Sequence, residues 1–459
     1  MTGFRFAVFA VCGTAIFAAP PVGREETRTV FTSTRTITAI HESPDGTVWV
    51  GTSGGVRRRD AATGAWQTFT REHGVPAHEV RAFAELGDRT IIEFADGTAR
   101  YAGGKWEKCP AILASKPTPW EVLYAEPFVT QKPRTLPKVA GGQITTFCAA
   151  GNGRLFAGTR QQGLFVREPG AQNWQAVPPT APEPANANAQ AITFFGGAMY
   201  VSTLRDGLVV REASGDWAQL LPPTISSDAP RQMLQYKNTL YIRHGSGAVD
   251  RLGGETWTKN VWARELPRKQ VSAFATDGER LWAAQWGGVS VYDGAKWTHY
   301  LREPGLQGVP ITALLPVGDT LYIGTQGRGL AEMDTRTGLV RRWWNEAHGV
   351  SDDWITALGE NNGTIYAGTF VGGLAVRAKG AARFTLATGT AGENVTDLLP
   401  VAGGGVVATT RFGARVVNAP GVSLPTIVTG RTVEAQCVAR SPSGETWIGT
   451  RTGLYRVKP

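Results

Sequence analysis

One stretch recurs through the chain and limits what it can become: residues 37–60, ITAIHESPDGTVWVGTSGGVRRRD. It reads as an apolar strand (Ile37 to Ile40), a turn at Asp45-Gly46, a second strand (Val48 to Thr52), a glycine turn at Gly54-Gly55 and a third strand from Val56. Asp-Gly is a favoured hairpin turn, and the glycine pair supplies the positive φ of the next one. A single meander of this kind cannot bury both faces. Copies must therefore stack on one another, and a closed ring is the stable arrangement for units of this length.

Aligned on the second strand and its turn, the chain holds ten copies: TVWVGTSGG at 47, TIIEFADG at 90, RLFAGTRQQG at 154, AMYVSTLRDG at 198 and TLYIRHGSG at 239, then RLWAAQWGG at 280, TLYIGTQGRG at 320, TIYAGTFVGG at 364, GVVATTRFG at 405 and ETWIGTRTG at 445. Most steps are about 40 residues, the period of one four-stranded propeller blade. Inner strands such as TLYIGT are apolar on both faces, as sheets covered on both sides must be. A fourth strand opens on a tryptophan in many copies: Trp66, Trp106, Trp174, Trp217, Trp257, Trp297 and Trp343. Those side chains are expected to pack between blades. The fold class is all-β, a propeller of about ten four-stranded blades.

The two ends of the chain complement each other. The tenth copy stops after its third strand, and TRTVFTST at 27–34 resembles a fourth strand such as WQTFT. The N-terminal strand is expected to pair in the last blade and remove the exposed edges. That favours a single propeller domain over 27–459, one closed ring rather than two; a smaller ring with degenerate repeats elsewhere is the alternative. From the second to the third copy the step is longer, about 65 residues, leaving a proline-rich insertion at 111–141 with Trp120 and Tyr124. It is too short for a blade and reads as a loop on the face where fourth strands join the next first strands.

Residues 1–19 read as an export signal: Arg5, an apolar core from Phe6 to Phe17, then Ala18-Ala19. The expected address is periplasmic or secreted. No apolar run approaches the roughly 20 residues of a membrane span, so membrane insertion is not expected. Beyond the signal remain Cys109, Cys148 and Cys437, an odd number in an exported chain. Their places in the repeats keep them apart, so they read as small buried hydrophobes without a disulfide. The 47 Lys plus Arg against 38 Asp plus Glu give +9, which suits anionic partners. No run of five basic residues occurs, and nucleic-acid binding is not expected.

The pattern of Ile37-Thr38-Ala39-Ile40, Asp45-Gly46, Trp49-Val50-Gly51-Thr52 and Gly54-Gly55-Val56 resembles the two-component regulator propeller repeats of exported sensor regions in bacterial hybrid two-component proteins. Trp447-Ile448-Gly449-Thr450 and the loop Glu72-His73-Gly74-Val75-Pro76 share it. The resemblance spans nearly the whole chain after the signal. It implies a propeller that binds extracellular ligands, often polysaccharide fragments. No immunoglobulin-like module, membrane helix or kinase follows in this sequence, so a sensing role implies a separate reporting partner.

In a propeller the turns from second to third strand gather on one face around the central channel, where ligands generally sit. Those turns carry Arg160, Arg205, Arg328, Arg411 and Arg451, with Trp286 and Phe370 at equivalent places. Guanidinium forks bind carboxylates and phosphates, and an aromatic face stacks on a sugar ring. These seven are the candidate ligand-binding residues; solvated turn residues on a basic protein are the plain alternative. His73, His78 and Glu79 share a loop, but His348 in Glu346-Ala347-His348-Gly349 repeats the place of His73, which marks a repeat-consensus turn and no metal site. Asp352-Asp353-Trp354 pairs carboxylates beside an aromatic, yet adjacent residues on a strand point to opposite faces. Gly-x-Ser-x-Gly, His-Glu-x-x-His, a P-loop and a dinucleotide fingerprint are absent, so no catalytic residue, cofactor or metal is assigned. The favoured function is an exported, sensor-like binder of a carbohydrate or other anionic ligand. A scaffold for a periplasmic protein partner, and a polysaccharide lyase or hydrolase, are the alternatives.

Overall fold

The computed structural model describes residues 28–86, 89–109, 143–301, 305–418, 422–429 and 433–458. The signal at 1–19 and the insertion at 111–141 lie outside them. Each repeat forms one four-stranded antiparallel sheet, and there are ten such blades. In chain order they occupy 37–69, 80–109, 144–177, 189–220, 230–258, 273–300, 311–344, 355–386, 395–429 and 435–457. Blade 10 is completed by the N-terminal strand as expected, Arg28 opposite Val457 and Phe31 opposite Leu454.

The repeated residues explain the blades. Second strands such as Val48–Thr52 and Thr364–Thr369 are buried at every position, which is why both of their faces are apolar. Fourth-strand tryptophans lie between sheets, as where Trp106 of blade 2 packs edge-on against Trp49 and Phe69 of blade 1, whereas Trp174 packs on Phe147 of its own blade 3. Cys437 is buried, Cys109 and Cys148 are half-buried, and all three are free thiols.

Two local devices fix which blade lies beside which. The first is the glycine of the recurring Gly-Thr, whose missing side chain admits the first residue of the next inner strand. A Cβ on Gly324 would stand 2.7 Å from Ile355, and one on Gly368 would stand 2.6 Å from Val395. The second is a β-bulge near the start of the first strand in nine blades. In blades 7, 8 and 9 the bulged residue is a threonine whose hydroxyl donates to the next blade: Thr312 to Ile355 O (2.5 Å), Thr356 to Val395 O (2.5 Å) and Thr396 to Ala435 O (3.0 Å); the bulged Thr38 of blade 1 has no such partner among the described residues.

The same devices show that the blades do not follow one another around a single ring of ten. Inner strands pack in sequence from blade 4 through blade 10, and that of blade 10 then packs against that of blade 4. Cys437, Ala439 and Trp447 share a core with Ala189, Met199 and Val201. Blades 4–10 therefore close a ring of seven. Blades 1–3 form a separate arc with blade 1 in the middle. Thr145 of blade 3 donates to Ile37 O of blade 1 (2.7 Å), so blade 3 stands before blade 1 as blade 7 stands before blade 8. Next-blade surfaces are alike in every repeat, and the repeat pattern alone does not distinguish these partners.

Two segments pass between arc and ring, 32–36 from blade 10 to blade 1 and 178–188 from blade 3 to blade 4. They are bonded to each other. Glu183 Oε2 accepts from Thr34 N (2.9 Å) and Thr34 Oγ1 (2.8 Å), and Ser33 Oγ donates to Ala185 O (3.1 Å). Arg57, 1% exposed, donates to Pro178 O (2.6 Å) and lies over the Trp66 ring at 4.9 Å.

Candidate functional site

A threonine at the end of the second strand, most often that of Gly-Thr, holds most of the turns that present the candidate residues. Its hydroxyl donates across the turn, Thr325 to Gly329 O (2.7 Å), Thr369 to Gly373 O (2.8 Å) and Thr450 to Gly453 O (2.8 Å). It also accepts a turn amide, as Thr369 does from Gly372 N (3.0 Å). With both ends of the turn tied, the residues at its tip project outward. In blade 6 Gln285 takes this place, buried, donating to Ser290 Oγ (2.6 Å) and accepting from Arg268 N (2.8 Å).

Six of the seven expected residues belong to the ring: Arg205, Trp286, Arg328, Phe370, Arg411 and Arg451, on blades 4, 6, 7, 8, 9 and 10. The seventh, Arg160, belongs to blade 3 of the arc. Along four consecutive blades the tips alternate aromatic and cationic: Trp286, Arg328, Phe370, Arg411. Trp286 is 58% exposed. Phe370 stacks on Trp354 at 4.2 Å with rings 18° from parallel, a partner that the tip alignment did not reveal. Arg328 donates to Gly305 O (2.8 Å) and its guanidinium lies 4.9 Å from the Trp343 ring, so it is held rather than splayed. Val371 and Phe412 add exposed apolar surface beside these tips.

Arg160 and Arg451 gather elsewhere. With Arg35, Asn186, Asp206 and Thr452 they line a cleft of about 390 Å³ where arc and ring meet. Arg35 was missed because it lies in a connector outside the repeat. A hollow of about 400 Å³ at the opposite ends of the inner strands is lined by Leu315, Pro316, Leu358, Glu360 and Leu398 among others.

The remaining polar candidates have structural partners. Asp352 Oδ1 accepts from Trp354 N (3.0 Å) and Oδ2 from Val371 N (3.0 Å), while Asp353 Oδ1 accepts from Glu346 N (3.1 Å). His73 Nδ1 accepts from Thr70 N (3.0 Å), and His348 Nδ1 pairs with Asn345 Oδ1 (2.7 Å); each closes a single 3-10 turn. His78 is 2% exposed and stacks on Tyr455. Burial first, and the nearby Arg71 charge second, push its pKa down to about 3. Among the described residues no group of three His, Cys, Asp or Glu side chains is placed to hold a metal.

Residues 32–54 match the family model described as two component regulator propeller. The chain carries a two component regulator propeller repeat. Among solved structures this propeller is similar to the extracellular domain of a hybrid two component system from B. thetaiotaomicron, at 16% identity and a TM-score of 0.51, over 92% of this chain and 56% of that one. The chain thus spans a little over half the length of that domain. A second extracellular domain of the same description from the same organism is 14% identical with a TM-score of 0.48, over 92% of this chain and 69% of that one. At such identity the likeness is one of fold. No curated protein matches the chain. No helix among the described residues is long and apolar enough to cross a membrane.

Proposed function

We propose that this is an exported, sensor-like propeller that binds an extracellular ligand, a carbohydrate or other anionic molecule, on the turn face of its seven-blade ring. The observation that carries the reading is the run of tips on blades 6–9, Trp286, Arg328, Phe370 and Arg411, which alternates stacking faces with guanidinium forks. Aromatic faces take the apolar face of a sugar ring, and the forks take its carboxylate or sulfate. Arg205 extends the cationic rim to blade 4. The apolar N-terminus supports a periplasmic or secreted address.

The test is the melting temperature of the chain without its first 19 residues against acidic and neutral oligosaccharides, at low and high salt. A ligand of the folded state stabilises by about 2.7 kcal/mol at a hundredfold excess over its Kd. A salt-sensitive rise with acidic sugars, lost in Arg328→Ala and Arg411→Ala, is the expected result. No rise with any sugar overturns it in favour of a periplasmic protein partner. The exposure of Trp286 (58%), Val371 (58%) and Phe412 (44%) favours that second reading.

A further inference from the structure

Three arginines distant in the chain meet where the arc touches the ring. Arg35 lies in the connector after the N-terminal strand, Arg160 in the blade 3 turn and Arg451 in the blade 10 turn. All three are exposed and line the cleft of about 390 Å³. Their charge is only partly answered. Arg451 Nη1 is 3.5 Å from Glu434 Oε1, Arg35 acts on Glu183, and Arg160 makes no ion pair among the described residues. Among the described residues Asp206 is the one carboxylate lining the cleft, and it is engaged: Oδ1 accepts from Gln161 Nε2 (3.3 Å) and Oδ2 from Asn186 Nδ2.

The backbone holds these groups in place. Thr36 Oγ1 donates to Arg160 O, and Gly163 N donates to Arg35 O (2.9 Å), so the connector and the blade 3 turn move as one piece. Thr450 fixes the turn bearing Arg451 from the ring side. The result is a polar hollow with guanidinium groups on two walls, one belonging to the arc and the other to the closed ring.

We propose that this cleft binds a compact oxyanion of charge two or more, a phosphate, sulfate or dicarboxylate group, held by Arg35 and Arg160 on the arc side and Arg451 on the ring side. Guanidinium forks suit such groups, and the volume leaves room for a small molecule that carries the anion. Because the anion touches both units, its binding strengthens the joint between them. The site is separate from the tips on blades 6–9 and stands whether or not they bind sugar.

The experiment is thermal unfolding of the full propeller in inorganic phosphate, sulfate and malonate, each against chloride at matched ionic strength. A saturable rise beyond chloride is expected for at least one dianion; phosphate or sulfate against malonate tells a tetrahedral group from a dicarboxylate. The double variant Arg35→Ala/Arg160→Ala is expected to bind about tenfold or more weakly, as loss of charge-assisted hydrogen bonds implies. Arg328→Ala and Arg411→Ala are expected to bind as the parent does, which separates this site from the ring tips. Circular dichroism confirms folding, and if the double variant does not fold, Arg160→Gln is titrated with the same anions by calorimetry. No rise beyond chloride with any of the three, or a rise that the Arg35→Ala/Arg160→Ala and Arg160→Gln variants retain, overturns the proposal.

Discussion

Gly449 of blade 10 lies against Ala189 of blade 4: a Cβ added to the glycine would stand 2.7 Å from the Ala189 Cβ and 2.4 Å from Cys437 Sγ. This contact closes the ring of seven, because it brings the last blade onto the fourth rather than the first. Gly449→Ala is therefore expected to destabilise the ring by about 1–3 kcal/mol, the usual effect of overfilling a packed interface. Urea unfolding checks it. Gly253, where a Cβ would meet nothing within 4 Å, is the control, and Gly253→Ala is expected to stay within about 0.5 kcal/mol.

The equivalent contact in the arc is Gly158 against Ile37, where a Cβ would stand 2.4 Å from Cγ2. Arc and ring have separate cores, so Gly158→Ala is expected to weaken the arc alone. Calorimetry should show a low-temperature transition that moves down while the main one stays. A single transition shifted as a whole would mean that the two units unfold together.

Glu183 ties the two crossing segments through Thr34 and sits in the field of Arg57 and Arg35. Glu183→Ala leaves the Thr34 amide and hydroxyl without their acceptor and Arg57 buried without its nearby charge, at a cost of about 1–3 kcal/mol. Local opening at 178–188 should then admit a protease, so limited proteolysis is expected to cut there faster than in the parent. Equal cutting in both would show that the packing of Arg57 on Trp66 suffices to hold the joint.

The ten blades and the N-terminal strand in blade 10 were legible because their signals are local. Gly-Thr, the Asp-Gly turns and the alternation of strands lie within about 40 residues. The partners of each blade were not legible, because Ile37, Val80, Ala189, Ile355 and Val395 all start inner strands and all fit the glycine slot of a preceding blade. For that reason Arg160 aligned with the ring tips in sequence but stands on the arc, and Arg35, which no repeat alignment includes, joined it at the cleft. Trp354 escaped for a different reason: its stack on Phe370 joins a connector to a turn, a contact with no fixed spacing.

Two buried ionisable groups act in opposite directions with pH. The His78 pKa of about 3 lies below its ordinary value of 6.5, so the unfolded chain takes up a proton that the folded one refuses. Its contribution is complete above pH 6.5 and is lost as pH falls toward 3, by about 1.4 kcal/mol per unit. Asp397 accepts from Leu398 N (2.8 Å) and, across to blade 10, from Val438 N (3.0 Å), yet burial pushes its pKa up to about 6. Here the folded chain holds the extra proton, and stability falls as pH rises from about 4 to 6. The two slopes offset each other within that window. Relative to the parent, His78→Phe should therefore gain stability as pH falls below 6.5, and Asp397→Asn should gain it as pH rises from 4 to 6. Denaturant midpoints at half-unit steps between pH 4 and 7 check both signs, and parallel curves for parent and variant would show that the group does not titrate with folding.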